Sequence, residues 1–239
     1  MNRSRRREHP FRRLPALMPE NATLLPELAI AAQRNVRYIA GIDEVGRGAL
    51  AGPVSIGVVV LDLAHPIFAR TPKDTGVCPE LDGVRDSKLL SAKARQRWHP
   101  HICEYAAAYS VQHRAPREID SLGINGALRA AGLAGLNAVE VQLGRPLDAV
   151  ILDGAHDWLT HGASSRVQTM VKADIKALSV ASASVLAKVE RDLLMEQLAQ
   201  ENPGYGWDSN RGYGSEGHRS ALIELGTTSH HRLSWNLGV

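Results

Sequence analysis

The chain has 239 residues, a net charge of +3 and 44% hydrophobic residues, enough for a sizeable core in one α/β domain or a domain with a smaller appendage. Aromatic residues make up only 5%, which argues against a stacking platform for single strands. Cys78 and Cys103 are too few and too isolated for a disulfide scaffold or a zinc site and read as incidental thiols. No apolar run reaches membrane-spanning length, so the expected setting is cytoplasmic, away from membranes.

Positive charge is unevenly spread. Arg3, Arg5, Arg6, Arg7, Arg12 and Arg13 face Glu8 alone within residues 1–13, which leaves residues 14–239 slightly acidic. Contact with a nucleic acid must then come from a local basic patch, to which the arm would add salt-dependent attraction. Residues 1–22 are expected to form a disordered basic arm, or an extension ahead of a start at Met18. Pro10, Pro15 and Pro19 would break the helix of a mitochondrial presequence.

Residues 24–33 form a short helix candidate with Pro26 near its start. The runs 36–43 and 54–61, rich in Val and Ile and joined by a glycine-rich connection, predict a strand pair. Residues 64–83 lack any period and predict a loop. Asp86-Ser87-Lys88 opens a basic helical stretch over 89–98, where Ser87 and Lys88 would either cap the helix or hold a phosphate. Residues 104–113 alternate as a third strand, and 120–141 carry an apolar helical face. Two more apolar strands follow, 149–154 and 167–174, each ending on an aspartate. A long helix over 178–200 begins with a small-residue half suited to close packing on a sheet. Residues 201–239 predict a helical region with glycine turns.

The strand, helix, strand order predicts a parallel crossover, and ligands of such sheets gather outside the carboxyl ends of the strands. Acids stand at three of those ends: Asp43-Glu44, Asp153 and Asp174. A single aspartate there is often a turn or helix cap, but four carboxylates together repel one another unless a cation joins them. Oxygen-only ligation selects Mg²⁺ or Mn²⁺, and two such ions ~4 Å apart support in-line phosphoryl displacement, which is nuclease chemistry. Adjacent strand residues point to opposite faces, so at Asp43 and Glu44 the strand must break up, bulge or serve the rim of the sheet. Arg47 is a candidate counter-charge.

Ile42-Asp43-Glu44-Val45-Gly46-Arg47-Gly48, Ala51-Gly52-Pro53, Asp86-Ser87-Lys88, Leu152-Asp153-Gly154, Lys172-Ala173-Asp174, the stretch from Ala183 to Asp192, and Gly212-Tyr213-Gly214 together resemble ribonuclease HII, the type 2 ribonucleases H. The resemblance implies an α/β fold: an RNase H-like mixed five-stranded sheet, three antiparallel strands then two parallel ones, flanked by helices. Residues 23–200 would be the catalytic core, and 201–239 a C-terminal helical region lining the substrate groove.

It also implies an endonuclease that cuts on the 5′ side of ribonucleotides in RNA–DNA hybrids and of single ribonucleotides embedded in duplex DNA, leaving 3′-hydroxyl and 5′-phosphate ends. Asp43, Glu44, Asp153 and Asp174 match the catalytic acids that hold two Mn²⁺ or Mg²⁺ ions. Gly46, Arg47 and Gly48 match a loop that reads the 2′-hydroxyl, with Arg47 near the scissile phosphate. Tyr213 matches a tyrosine stacked on the following sugar, and Ser87, Lys88, Ser184 and Lys188 match positions on the phosphate backbone. A monomer is expected. Asp192 reads as a structural helix partner, Asn125 as a structural bond near the sheet edge, and His218, His230 and His231 as residues that pack or touch phosphate. Ala49, Ala181-Ser182 and Leu233 depart from the commoner family pattern without removing a carboxylate.

Overall fold

The computed structural model describes residues 21–33, 36–163 and 166–238, so residues 1–20 of the basic arm lie outside the described residues. The elements in order are α1 (Leu25–Gln33), β1 (Tyr38–Val45), β2 (Val54–Asp62), a one-turn α2 (Pro66–Ala69), α3 (Ala92–Tyr105), β3 (Ala108–Arg114), α4 (Pro116–Leu143), β4 (Ala149–Asp153), β5 (Val167–Met170), α5 (Leu178–Glu201), α6 (Trp207–Asn210) and α7 (Glu216–Leu225).

The five strands form one sheet in the order β3-β2-β1-β4-β5. β1, β2 and β3 pair antiparallel, while β4 and β5 run parallel to β1. The expected mixed sheet is therefore present, three antiparallel strands followed by two parallel ones.

Period-two alternation divides each strand between two faces. Ala40, Ile42, Val58, Val60, Val150 and Leu152 pack against Ala127, Leu128 and Ala131 of α4. Val59 and Leu61 face Ala181, Val185 and Leu186 of α5, while Ile39 and Ile151 meet Val180. Each Val, Leu or Ile buried in these layers contributes roughly 1.5–3 kcal/mol by area removed from water.

The small-residue half of α5 lies almost on the sheet. A Cβ added at Gly41 would stand 2.2 Å from the Ser179 carbonyl carbon, and one at Gly57 would stand 2.3 Å from the Ala183 carbonyl oxygen. Backbone cannot yield to such contacts, so the two central strands need glycine where the helix crosses them.

Several boundaries differ from the sequence expectation. Residues 104 and 105 continue α3, and the third strand starts at Ala108, because alanines carry no period and the buried Ile102 anchors the helix end. α4 starts at Pro116 and is interrupted at Gly123, which has φ 68°. The loop expected over 64–83 contains α2 and a 3₁₀ turn, Pro79–Leu81, and sends Ile67, Phe68, Cys78 and Leu81 into the core beneath α5.

β5 ends at Met170 and not at Asp174. Lys172 adopts the left-handed conformation, and Asp174 sits on the 3₁₀ turn Ala173–Ile175 that follows. Beyond α5, Tyr205, Trp207, Ala221, Leu222 and Leu237 pack onto Leu50, Ala51 and Met195. No helix among the described residues is long and apolar enough to cross a membrane.

Candidate active site

β1 pairs with β2 in register to its last residue, Asp43 with Gly57, Glu44 with Ile56 and Val45 with Ser55, so the strand does not bulge at its acids. Its pairing with β4 stops at Ile42 and Leu152. Asp43 and Asp153 are the next positions on these parallel strands, side by side at the carboxyl rim. Alternation then separates the two acids of β1. Asp43 follows Gly41 onto the α5 face, and Glu44 follows Ile42 onto the α4 face.

Each acid meets different surroundings. Asp43 is buried, and desolvation holds its carboxyl well above the usual range; Asp153 reinforces this, and a hydrogen bond with Ser184 opposes it. Glu44 is also raised, mainly by burial, against the pull of Arg47. Arg47 Nη1 lies 3.1 Å from Glu44 Oε1 and Nη2 donates to Asn125 Oδ1 at 3.2 Å, so Arg47 serves as counter-charge to one acid and Asn125 orients it. Asp153 Oδ1 accepts from the Ala173 N–H at 2.6 Å, tying the Asp174 turn to the end of β4. The Asp174 carboxyl is pushed up to about 6 by burial first and then by Asp153 and Asp86.

Lys88 is the cation on the α5 side, with Nζ 3.7 Å from Asp174 Oδ2 and 3.9 Å from Asp86 Oδ1. Burial pulls its ammonium down, yet Asp86, Asp43, Asp174 and Asp153 outweigh that and raise it. The Ser87 and Ser184 hydroxyls lie 2.8 Å apart, and the Ser87 N–H reaches Ser184 Oγ. Asp86 supplies the cap of this turn by accepting from the Lys88 N–H.

A cleft of about 420 Å³ is lined by Asp43, Glu44, Val45, Gly46, Arg47, Gly48, Ser87, Lys88, Lys188 and Tyr213. Nine of the twelve site residues expected from sequence line it directly; Asp153, at the end of β4, and Asp174, on the turn after β5, are not among its lining residues. Ser184 is 1% exposed, and its hydroxyl bonds with Asp43 and Ser87. Lys188 Nζ is 2.6 Å from Asp192 Oδ1, which makes Asp192 its helix partner.

Two glycines shape the loop after β1. Gly46 has φ 81°, and a Cβ there would fall 2.1 Å from Arg191 Nε, whereas a Cβ at Gly48 would meet nothing within 4 Å. The first is required by packing beneath the loop. The second leaves main chain open to the cleft, where another backbone can approach.

Two arginines to which the sequence reading assigns no role hold this loop from below, Arg191 and Arg232, both buried. Arg232 donates to the Gly46 and Arg47 carbonyls at 2.6 and 2.8 Å and to Gly52 at 3.2 Å. The histidine expectation resolves toward packing for two of the three. His218 and His231 are buried beside Trp207, with His218 Nε2 3.1 Å from Trp207 Nε1 and 3.2 Å from His231 Nε2.

The donor set fits a hard divalent cation. All four acids offer oxygen only, and the raised carboxyls of Asp43, Glu44 and Asp174 mark sites where added positive charge relieves a real cost. Among the described residues no three acid, His or Cys side chains form a ready-made cage. Arg47 and Lys88 instead neutralise Glu44 and Asp174, and a bound ion would compete with them.

A family profile described as Ribonuclease HII matches residues 40–237. The chain is 42% identical over 216 residues to the ribonuclease HII of Streptomyces coelicolor, covering 90% of this chain and 84% of that one. It is 44% identical over 196 residues to the ribonuclease HII of Roseobacter denitrificans, covering 82% and 88%. Among solved structures, the ribonuclease H2 of Pyrococcus horikoshii superposes with a TM-score of 0.67 at 27% identity, over 84% of this chain and 94% of that one. With the sheet order, the acids at its rim and a profile match running from β1 to the C-terminal segment, the chain belongs to the ribonuclease HII family, the type 2 ribonucleases H.

Proposed function

We propose that this ribonuclease H cuts the phosphodiester on the 5′ side of ribonucleotides, both in RNA–DNA hybrids and at single ribonucleotides embedded in duplex DNA. The observation that carries this reading is one cleft in which Asp43 and Glu44 adjoin the open main chain at Gly48 and the half-exposed ring of Tyr213. An acid site next to a surface that a sugar can approach closely suits cleavage directed by the 2′-hydroxyl.

The family is divalent-metal dependent. Asp43, Glu44, Asp153 and Asp174 would hold two ions, Mn²⁺ or Mg²⁺. Bound there, such ions would supply water activation and charge stabilisation at the leaving 3′-oxygen, consistent with 3′-hydroxyl and 5′-phosphate ends. The protein's own side chains bind and orient. Gly46 and Gly48 let the main chain reach the ribose, and Arg47 swings from Glu44 to the scissile phosphate. Lys88 and Lys188 neutralise flanking phosphates, and Tyr213 stacks on the next sugar from the C-terminal region, residues 201–239, which forms that wall of the groove. Each cationic contact adds to the salt dependence of binding.

The free thiols Cys78 and Cys103 suit a reducing compartment such as the cytoplasm. The test is nicking of a labelled duplex with one embedded ribonucleotide, beside all-DNA and continuous-hybrid controls, in Mg²⁺ and in Mn²⁺. Cutting confined to the 5′ side of the ribonucleotide and to the hybrid is the expected result. An all-DNA duplex cut as fast would overturn the ribose-reading role.

A further inference from the structure

Arg191 is fully buried on α5 and bonds to no carboxylate among the described residues; its partners are three carbonyls. Nε donates to Pro53 at 2.8 Å and Nη2 to Ala51 at 3.3 Å, both in the segment after Gly48. Nη1 donates to Arg211 at 2.9 Å, in the separate segment that carries Tyr213. Its guanidinium carbon is 5.6 Å from the centre of the Tyr213 ring, and its Nε occupies the space that a Cβ on Gly46 would need. The two segments also meet directly, because the Gly212 carbonyl accepts from the N–H groups of Leu50 and Ala51 at 2.8 and 3.1 Å.

A guanidinium is a planar fork with donors in fixed directions, so three carbonyls on one fork fix the spacing of the segments that bear them. A lysine ammonium of similar charge is a single point on a flexible stem and cannot hold both segments in one geometry. Arg232 braces only the loop after β1, through Gly46, Arg47 and Gly52. Arg191 alone of the two spans both substrate-facing segments.

We propose that Arg191 is a specificity-determining positioning residue, which locks the Gly46–Gly48 loop and the Tyr213 segment at one spacing so that the ribose and the following sugar are read together. The inference rests on the proposed function. It assigns Arg191 no contact with substrate.

The test compares wild type, Arg191→Lys, Tyr213→Ala and the double variant on two substrates, a duplex with one embedded ribonucleotide and a continuous hybrid. Misplacing a reading group by ~1 Å costs about 10- to 100-fold. Because the loss cannot exceed that of removing Tyr213 itself, Arg191→Lys should lower kcat/KM on the single ribonucleotide by up to about tenfold, mainly in kcat, and lower hybrid cleavage much less. In the double variant the Arg191→Lys loss should largely vanish, because its effect runs through Tyr213.

Equal loss on both substrates, or losses that multiply independently, would show a purely structural arginine and overturn the inference. Failure of the underlying reading looks different, since wild type would then not distinguish ribonucleotide-containing from all-DNA duplex. Should Arg191→Lys not fold, hydrogen exchange on the wild type takes its place. The amides of Leu50, Ala51 and Tyr213 should open as one cooperative unit, and a Tyr213 amide that opens independently would overturn the coupling.

Discussion

At the carboxyl ends of β1 and β4, carboxylates crowd together with like charge, whereas beneath residues 46–53 two arginines and two histidines are buried with every side-chain nitrogen engaged. Both regions take titratable groups out of water, and both sit within one loop of the cleft. At the acids, burial favours the neutral form, so Asp43, Glu44 and Asp174 hold protons more tightly than free carboxyls do. Beneath the loop, burial also favours the neutral form, and His231 falls to about 4 while Arg232 falls to about 9. The histidine network is complete without an added charge: His218 Nδ1 donates to the Tyr213 carbonyl, and its Nε2 accepts from Trp207 and His231. The acids repel one another, and Arg47 and Lys88 offset that repulsion only in part, since the carboxyls stay raised. A satisfied buried network acts as scaffold, and a cluster of mutually raised carboxyls marks the chemistry.

The contrast breaks most sharply at Asp43. Asp43→Asn should lower cleavage by about 10³-fold or more, the scale of several kcal/mol of lost charge stabilisation, while duplex binding measured by fluorescence anisotropy stays within a few-fold. Arg232→Ala acts on the other region. It strands the carbonyls of Gly46, Arg47 and Gly52, each costing about 1–3 kcal/mol when left buried without a donor, so urea unfolding should show a loss of several kcal/mol. A loss below about 1 kcal/mol would mean the loop is held by other means.

Glu27 on α1 is an intermediate case that sharpens the comparison. It is fully buried, its Oε1 accepts from the Ser179 N–H and hydroxyl at 2.8 and 2.6 Å, and its Oε2 has no partner among the described residues. Burial raises its carboxyl from 4.5 to about 7 despite those bonds. A raised folded-state value means the folded chain binds the proton better, so this group's stabilising contribution is whole below pH 4.5 and is lost as pH rises through about 7. Glu27→Gln should flatten the pH dependence of unfolding across that window by on the order of 2–3 kcal/mol. Parallel curves for the two proteins would contradict it. The smallest expected effect is at Tyr213, where Tyr213→Ala should slow cleavage at a single ribonucleotide about tenfold, the scale of one base-stacking contact, and continuous-hybrid cleavage less.

Much of the site was legible because its parts obey local rules. Runs of Val and Ile announced β1, β2 and β4, and the rim position of Asp43 and Glu44 follows from adjacent acids at the end of a buried run. Asp174 was placed at the end of a strand because nothing in the sequence announces a lysine in the left-handed conformation at Lys172. Arg47 first read as a counter-charge, which is how it pairs with Glu44 here. Arg191 and Arg232 gain no role from the sequence because arginine is by default a surface residue. Gly46, read from sequence as a glycine for approach to the ribose, also makes room for Arg191 beneath it.

The central claim, that the clustered acids are the cutting centre and the loop beside them selects the ribonucleotide, is tested most directly by mapping the 5′ ends released from a duplex with one embedded ribonucleotide, for wild type and Asp43→Asn under the same divalent-metal conditions. Wild type should give a single product whose 5′-phosphate lies on the ribonucleotide, and Asp43→Asn should give none. Undiminished cutting by Asp43→Asn, or wild-type cuts scattered along the DNA, would contradict it.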